Sequence, residues 1–260
     1  MIKDVEAIVN RFSAIDEPVP YKGLSIYPIK VREYYNFGVS YDILCIEKND
    51  IPDIEIIQMS YLEFLYKKMF QDETIIDKKE NLTAAMFNMS KFYTVLSLCL
   101  KVDFKDIECV EVERKPKVII SGIEFDSKEF DEIRKIILHQ NIHDYCDDYI
   151  DPDMRKAIDE YYSIKNRDLV MPELEDEMAS LTAMTGVCKK DILDMTYREY
   201  KKVFHAALDR MDYQMAKTAE LSGNVKFDKP IDHWVYKRKK NRYEDAFTSA
   251  DGVKNKVSSV

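Results

Sequence analysis

The chain has 260 residues, of which 46% are hydrophobic and 33% are charged. This length allows one large domain or two small ones with a substantial core. The net charge of −9 disfavours broad binding to nucleic acid or to an anionic membrane by the chain as a whole. With only 6 glycines, the sequence also argues against β-barrels, β-sandwiches and glycine-rich phosphate loops.

The sequence shows no membrane or export signal. No apolar run approaches the roughly 18 residues of a membrane-spanning helix, and the opening MIKDVEAIVNRF lacks the apolar core of a signal peptide. The cysteines are odd in number and scattered, without a CxxC pair, which is typical of reduced thiols in a cytoplasm. They are Cys45, Cys99, Cys109, Cys146 and Cys188.

The first hundred residues are predicted to be mainly helical. Residues 2–13 form a short amphipathic helix, and a turn at Lys22-Gly23 separates short extended pieces. Apolar spacing then predicts a helix from Arg32 that is interrupted at Gly38. Two more helices are predicted. The first spans Ile54 to Phe70 and contains Ser60 and Glu63, and the second spans Leu82 to Leu100.

The period changes near residue 106, where β-branched residues alternate with polar ones. This pattern predicts a hairpin of residues 107–112 and 118–120, joined by a turn from Arg114 to Lys117 around Pro116. A second turn at Ser121-Gly122 leads into one more short strand. A small β element is therefore expected at the centre of the chain.

Helices return after this element. Asp126 or Ser127 caps the first of them, and the next two open at Asp151-Pro152 and Met171-Pro172, with proline at the favoured first position. A short helix or turn at Cys188 to Leu193 precedes the longest predicted helix.

The longest predicted helix runs from Met195 to Gly223. Thr196 and Glu199 have the spacing of a capping box, and Gly223 suits a left-handed C-terminal position. Its apolar residues recur at spacings of three and four and share one face. They are Tyr200, Phe204, Ala207, Leu208, Met211, Met215 and Ala219. This face must be covered by the protein itself or by a partner.

Residues 224–260 have no sustained period and are interpreted as an extended arm that carries Trp234 and Tyr236. The predicted fold is α+β and predominantly helical, with helical lobes around the small hairpin. Its predicted divisions are residues 1–103, 104–223 and 224–260. The basic run of residues 237–242 could contact phosphates, but a solvated basic tail explains it more simply, so nucleic acid is not expected as a partner.

One segment has the residue types of a metal site. His139 and His143 are four residues apart on one helix face, and several aspartates follow, among them Asp147. No HExxH motif is present, and acidic residues after a helix are usually just solvated. The cysteines and serines lack the motifs of a nucleophile site, and no P-loop or GxGxxG is present. No cofactor and no catalytic residue are therefore assigned.

Three segments, in this order, carry a family resemblance. They are PVPYKGLSIYPIKVREYYNF, then VIISGIEFDSKEFDEIRKIILHQN, and last ILDMTYREYKKVFHAALDRMDYQMAKTAELSG followed by KPIDHWVYK. This order resembles the tail assembly chaperones of tailed bacteriophages and the related baseplate-hub assembly proteins of contractile-tailed phages.

The resemblance implies a non-enzymatic protein in the cytoplasm of an infected or lysogenic bacterial cell. Such proteins hold tape-measure, tail-tube or baseplate-hub components in an assembly-competent state, and a homo-oligomer is left open. On this reading the partner-binding residues are Tyr200, Phe204, Met211, Met215, Trp234 and Tyr236. Two alternatives stay open: a structural virion protein such as a baseplate, connector or tail-completion component, and a metal-dependent enzyme built on His139, His143 and the nearby aspartates.

Overall fold

The computed structural model describes residues 5–45, 54–70, 78–142, 145, 152–170, 172–223, 227 and 230–236. The chain forms two compact units. The first comprises residues 1–146 and 187–203, and the second comprises residues 147–186 and 204–260. The predicted division between residues 103 and 104 falls inside the first unit. The predicted fold class, α+β and mostly helical, is confirmed.

The first unit combines helices of different lengths with two small antiparallel sheets. Its elements are α1 (Val5–Ser13), β1 (Val19–Tyr21), β2 (Leu24–Ile26), a 3-10 turn (Val31–Glu33), α2 (Tyr34–Gly38), α3 (Asp42–Cys45), α4 (Ile54–Gln58), α5 (Tyr61–Phe70), α6 (Lys78–Leu100), a second 3-10 turn (Phe104–Asp106), β3 (Ile107–Val112), β4 (Lys115–Ile120), β5 (Ile123–Phe125), α7 (Ser127–Asn141) and α10 (Lys189–Asp194). The second unit contains α8 (Pro152–Lys165) and α9 (Leu174–Thr185). Helix α11 (Tyr197–Leu221) begins in the first unit and continues in the second. No described helix has the length and apolar character needed to cross a membrane.

The central hairpin was predicted correctly, but its turn was placed too late. Strands β3, β4 and β5 form one antiparallel sheet in that order, and the turn between β3 and β4 consists of Glu113 and Arg114, both with positive φ. Pro116 lies within β4, opposite Glu111. In a hairpin with a two-residue loop, the residue pair next to the loop exchanges hydrogen bonds between the two strands. In the next pair, here Glu111 and Pro116, the backbone N–H positions point away from the partner strand. Proline is accepted there because it has no N–H to satisfy.

The helix predicted over residues 54–70 is in fact two helices. Ser60 does not lie inside a helix but begins α5: its hydroxyl accepts a hydrogen bond from the Glu63 N–H at 3.2 Å, and the Glu63 carboxylate accepts one from the Ser60 N–H at 2.7 Å. This reciprocal pair is a capping box. Because serine and glutamate at this spacing satisfy the free N–H groups of a new helix start, the chain breaks after α4 and restarts.

The core of the first unit is organised around α7. Its apolar face is completely buried, as are apolar side chains from β2, α3, α5, α6 and β4. Two buried polar side chains at its C-terminal end fix the chain after β2. Asn141 Oδ1 accepts a hydrogen bond from the Ile29 N–H at 2.8 Å, and Gln140 Nε2 donates to the Ile26 carbonyl at 3.2 Å. The backbone there is thus satisfied without a neighbouring strand.

The start of α11 is fixed to the same part of the first unit. The Val31 N–H donates to the Met195 carbonyl at 3.0 Å, and the Tyr197 N–H donates to the Ile29 carbonyl at 2.9 Å. The rings of Tyr34 and Tyr197 stack with centroids 4.1 Å apart. One half of the predicted capping box is seen, since the Thr196 hydroxyl accepts a hydrogen bond from the backbone N–H three residues later at 3.2 Å. These contacts define where the longest helix begins.

The second unit has a small apolar core. Its buried apolar side chains among the described residues are Ile158, Leu174, Met178 and Leu181. All four belong to α8 and α9, and no described residue of α11 within this unit is buried. Many of its large apolar side chains are therefore exposed. They are Met154, Tyr161, Ile164, Leu169, Val170, Met211, Met215, Leu221, Phe227, Val235 and Tyr236.

Candidate functional site

The predicted apolar face of α11 is half-buried where the helix enters the second unit and becomes exposed further along. Phe204, Leu208, Met211 and Met215 follow each other at spacings of four, three and four, so they lie in one row along the helix. Phe204 and Leu208 are half-buried, whereas Met211 is 41% exposed and Met215 is 58% exposed. We call these four residues the methionine stripe. Exposure increases along the stripe towards the C-terminal end of the helix.

The opposite side of α11 is more buried, although it is more polar. Successive residues turn by about 100° around a helix axis, which places Asp209, Tyr213 and Lys217 on the side facing away from the methionine stripe. All three are half-buried. A helix normally turns its apolar side inward. The reversed pattern leaves the methionine stripe as an apolar surface that the second unit does not fully cover.

The structure corrects the prediction for Tyr200. It was predicted to contact a partner, but it belongs to the first unit and is completely buried there. Tyr200 lies in the first turns of α11, just after the β-bridge between Lys30 and Thr196 that joins the start of this helix to the first unit. Tyr200 is therefore a core residue, and the apolar face of α11 changes from buried to exposed along its length.

Residues 230–236 of the predicted arm pack against α11. The His233 ring lies 5.1 Å from the Tyr213 ring and 5.6 Å from the Trp234 ring, measured between centroids. The Tyr236 N–H donates to the His233 carbonyl at 2.9 Å, which closes a turn. We call residues 230–236 the Trp234 extension. Because it packs at Tyr213, it lies on the side of α11 opposite the methionine stripe.

The two predicted binding surfaces are therefore separate. Trp234 is half-buried within the Trp234 extension, whereas Tyr236 is 76% exposed. A partner helix that covers Met211 and Met215 does not reach Tyr236 on the other side of α11 without wrapping around it. The methionine stripe and the Trp234 extension must accordingly be tested as two surfaces.

The candidate metal ligands are only partly within the described residues. His139 is half-buried, its ring meets the edge of Tyr145 with centroids 4.9 Å apart, and its carbonyl accepts a hydrogen bond from Arg198 at 2.8 Å. His143 and Asp147 lie outside the described residues. Within the described part of the chain, no three His, Cys, Asp or Glu side chains converge as metal ligands would.

Two of the described cysteines have raised pKa values. The cysteines in the described part of the chain form no disulfide: Cys45, Cys99, Cys109 and Cys188. Burial raises the pKa of Cys99 far above its usual value and raises the pKa of Cys109 to about 12. A nucleophilic cysteine needs the opposite shift, because the thiolate is the reactive form. The basic run of residues 237–242 lies outside the described residues.

The structure also contains two clefts that sequence patterns did not indicate, both within the first unit. One, of about 410 Å³, lies between the start of α5 and the β3–β4 hairpin and is lined by Glu63, Tyr66 and Glu111 among others. The second, of about 510 Å³, is lined by Tyr21, Lys22 and residues of α7. Each cleft joins parts of the chain that are far apart in sequence, residues 55–67 and 111–116 in the first and residues 5–22 and 126–135 in the second, so no local spacing could reveal it.

Comparison with known proteins finds no match among family models, curated proteins or solved structures. The resemblance to tail assembly chaperones therefore depends on the three sequence segments alone.

Proposed function

We propose that this chain is a non-enzymatic bacteriophage tail assembly chaperone. It would bind a tape-measure, tail-tube or baseplate-hub component in the cytoplasm of the bacterial host cell during virion morphogenesis. The observation that carries the proposal is the methionine stripe, an apolar row on α11 in which Met211 and Met215 are exposed while the polar residues on the opposite side of the helix are half-buried. The three-segment resemblance to this family supports the same function.

The chemistry of the stripe suits a chaperone. Methionine is unbranched and polarizable, so Met211 and Met215 can adapt to different apolar partners. A row at spacings of three and four is the pattern by which one amphipathic helix packs on another. Helix-in-groove binding of an elongated, helix-rich component is therefore the proposed mode.

The contribution of the stripe to binding can be estimated from its exposed area. Removing the exposed part of Met211 and Met215 from water contributes about 1–2 kcal/mol for each side chain. Phe204 and Leu208, which are half-buried, bring the total to roughly 4–6 kcal/mol before the entropic cost of association is subtracted. Because association itself costs about 4–15 kcal/mol, the stripe supplies one part of the binding free energy and does not hold a component by itself.

The test is co-purification of the full-length protein with tail components from phage-producing cells. The double variant Met211→Lys/Met215→Lys places two charges in the stripe and should lose the component. The matched control is Met86→Lys, because Met86 is 62% exposed on α6 in the first unit. Both proteins should show unchanged circular dichroism. If the double variant retains its tail component as well as the control does, the stripe is not the binding surface.

A structural virion protein is the second candidate, because the same stripe could pack permanently in a particle. Mass spectrometry of purified virions separates the two functions. A chaperone is absent from virions or present in traces, whereas a baseplate, connector or tail-completion protein is stoichiometric with the tail.

A further inference from the structure

The exposed end of the methionine stripe consists of two thioether side chains. Met211 is 41% exposed and Met215 is 58% exposed, whereas Phe204 and Leu208 are half-buried. Residues four positions apart are neighbours on a helix surface, so the two sulfurs belong to one patch. Methionine differs from leucine and phenylalanine because an oxidant converts its sulfur into a polar sulfoxide. The apolar character of this patch is therefore chemically reversible.

Exposure separates these two methionines from the buried ones. Met69 in α5 is 2% exposed, and Met178 in α9 is 6% exposed. An oxidant in solution has to reach the sulfur atom before it can react. Met211 and Met215 should consequently be oxidised while the two buried methionines are still shielded by the side chains around them.

We propose that Met211 and Met215 form a reversible oxidation site that controls release of the bound component. The oxidant is a hydroperoxide. A sulfur lone pair attacks one peroxide oxygen, the S–O bond forms, the O–O bond breaks, and hydrogen peroxide leaves as water. Sulfur loses the two electrons that the peroxide gains. A sulfoxide reductase reverses the reaction with two thiols, which become a disulfide while the oxygen leaves as water. This inference rests on the proposed function, because it regulates the same surface.

The sulfoxide should weaken binding without unfolding the helix. In the free protein the side chains of Met211 and Met215 are exposed, so each sulfoxide oxygen can accept hydrogen bonds from water. In the complex an apolar partner would cover the same oxygen and remove that water. Burying an unpaired polar group is unfavourable, and we expect each sulfoxide to weaken binding about tenfold or more. By reciprocity, a bound partner should protect both methionines from oxidation.

The first measurement uses the full-length protein and hydrogen peroxide. Sulfoxide formation at each methionine is followed by peptide mass spectrometry, and the fold is followed by circular dichroism. Met211 and Met215 should be oxidised well before Met69 and Met178, with the circular dichroism spectrum unchanged at that stage. Oxidation of Met211 and Met215 that is as slow as oxidation of the buried pair would overturn the proposal.

The second measurement follows binding of a methionine-free amphipathic peptide with leucines at helical spacing, read by fluorescence anisotropy. Peroxide treatment of the full-length protein should weaken binding about tenfold or more, and sulfoxide reductases for both epimers with a dithiol should restore it. Met211→Leu/Met215→Leu is compared with itself before and after peroxide, and its affinity should not change. The matched control is Met86→Leu/Met154→Leu, at methionines that are 62% and 47% exposed outside the stripe. It should remain sensitive to peroxide.

The outcomes separate this inference from the proposed function. If the reduced and the oxidised protein bind the peptide equally well, the oxidation site is wrong and helix binding by the stripe stands. If Met211→Leu/Met215→Leu loses the peptide after peroxide as the unchanged protein does, oxidation acts elsewhere and the inference is again overturned. If the reduced protein does not bind the peptide at all, the stripe is not a helix-binding surface, and both proposals fail.

Discussion

Asn141 offers the sharpest test of how the first unit is held together. Its side chain is 1% exposed at the end of α7. Oδ1 accepts a hydrogen bond from the Ile29 N–H at 2.8 Å, and Nδ2 donates to the Ile137 carbonyl at 2.9 Å. Asn141→Ala removes both bonds and leaves the Ile29 N–H buried without a partner. Residues 27–31 would then lose the hydrogen bond from the Ile29 N–H that links them to α7.

The expected cost can be estimated from these contacts. An unpaired buried N–H costs about 1–3 kcal/mol, and the lost bond to the Ile137 carbonyl and the space left behind add roughly 1 kcal/mol. We therefore expect Asn141→Ala to lower the free energy of unfolding by about 2–4 kcal/mol. This is a large part of the roughly 5–15 kcal/mol that stabilises a typical domain.

The assay is urea unfolding followed by circular dichroism, together with amide hydrogen exchange read by mass spectrometry on peptides that cover α7 and residues 27–31. Protection should fall at both places in Asn141→Ala. The matched control is Asn166→Ala, at an exposed asparagine after α8, which should change stability by no more than about 0.5 kcal/mol. An Asn141→Ala protein as stable as this control would refute the role of the side chain in fixing residue 29.

The remaining predictions concern a thiol and a helix cap. The Cys99 side chain is completely buried, and burial raises its pKa. Iodoacetamide at pH 8 should therefore alkylate the exposed Cys188 well before Cys99, as measured by peptide mass spectrometry. Equal alkylation rates at the two cysteines would contradict the described packing. Ser60→Ala removes the hydroxyl that accepts from the Glu63 N–H and should cost about 1 kcal/mol of stability in a urea titration. Ser90→Ala, at an exposed position inside α6, is its control and should cost close to nothing.

The local signals in the sequence were reliable because they act within a few residues. Asp126 caps α7, with its side chain accepting hydrogen bonds from the next N–H groups. Gly186 and Gly223 both adopt the positive φ that ends a helix. The same local rule was misapplied at Ser60, where the capping box was recognised but assigned to the interior of a helix. It was also missed at Glu173, which caps α9, so the predicted start at Pro172 was too early and the helix begins at Leu174.

The hairpin shows where local signals stop being sufficient. Proline is common in turns, so Pro116 was assigned to one. The turn instead formed at Glu113 and Arg114, and Pro116 was accepted in the strand because β5 pairs only with residues 118–120 on that side of β4. Which edge of a strand stays unpaired is decided by the neighbouring strand, not by the residue itself.

What the sequence determined by itself was the amphipathic pattern of α11 and the boundaries of most helices, since both depend on spacings within the chain. Only the tertiary structure decided which positions of that pattern are buried and which are exposed. Tyr200 and Met215 share one helical face, yet the first is completely buried and the second is 58% exposed. The cleft at Tyr21 likewise exists only because β1 and α7, more than 100 residues apart, come together. Periodicity fixes which side chains share a face, but the elements that pack against that face determine whether it becomes core, surface or binding site.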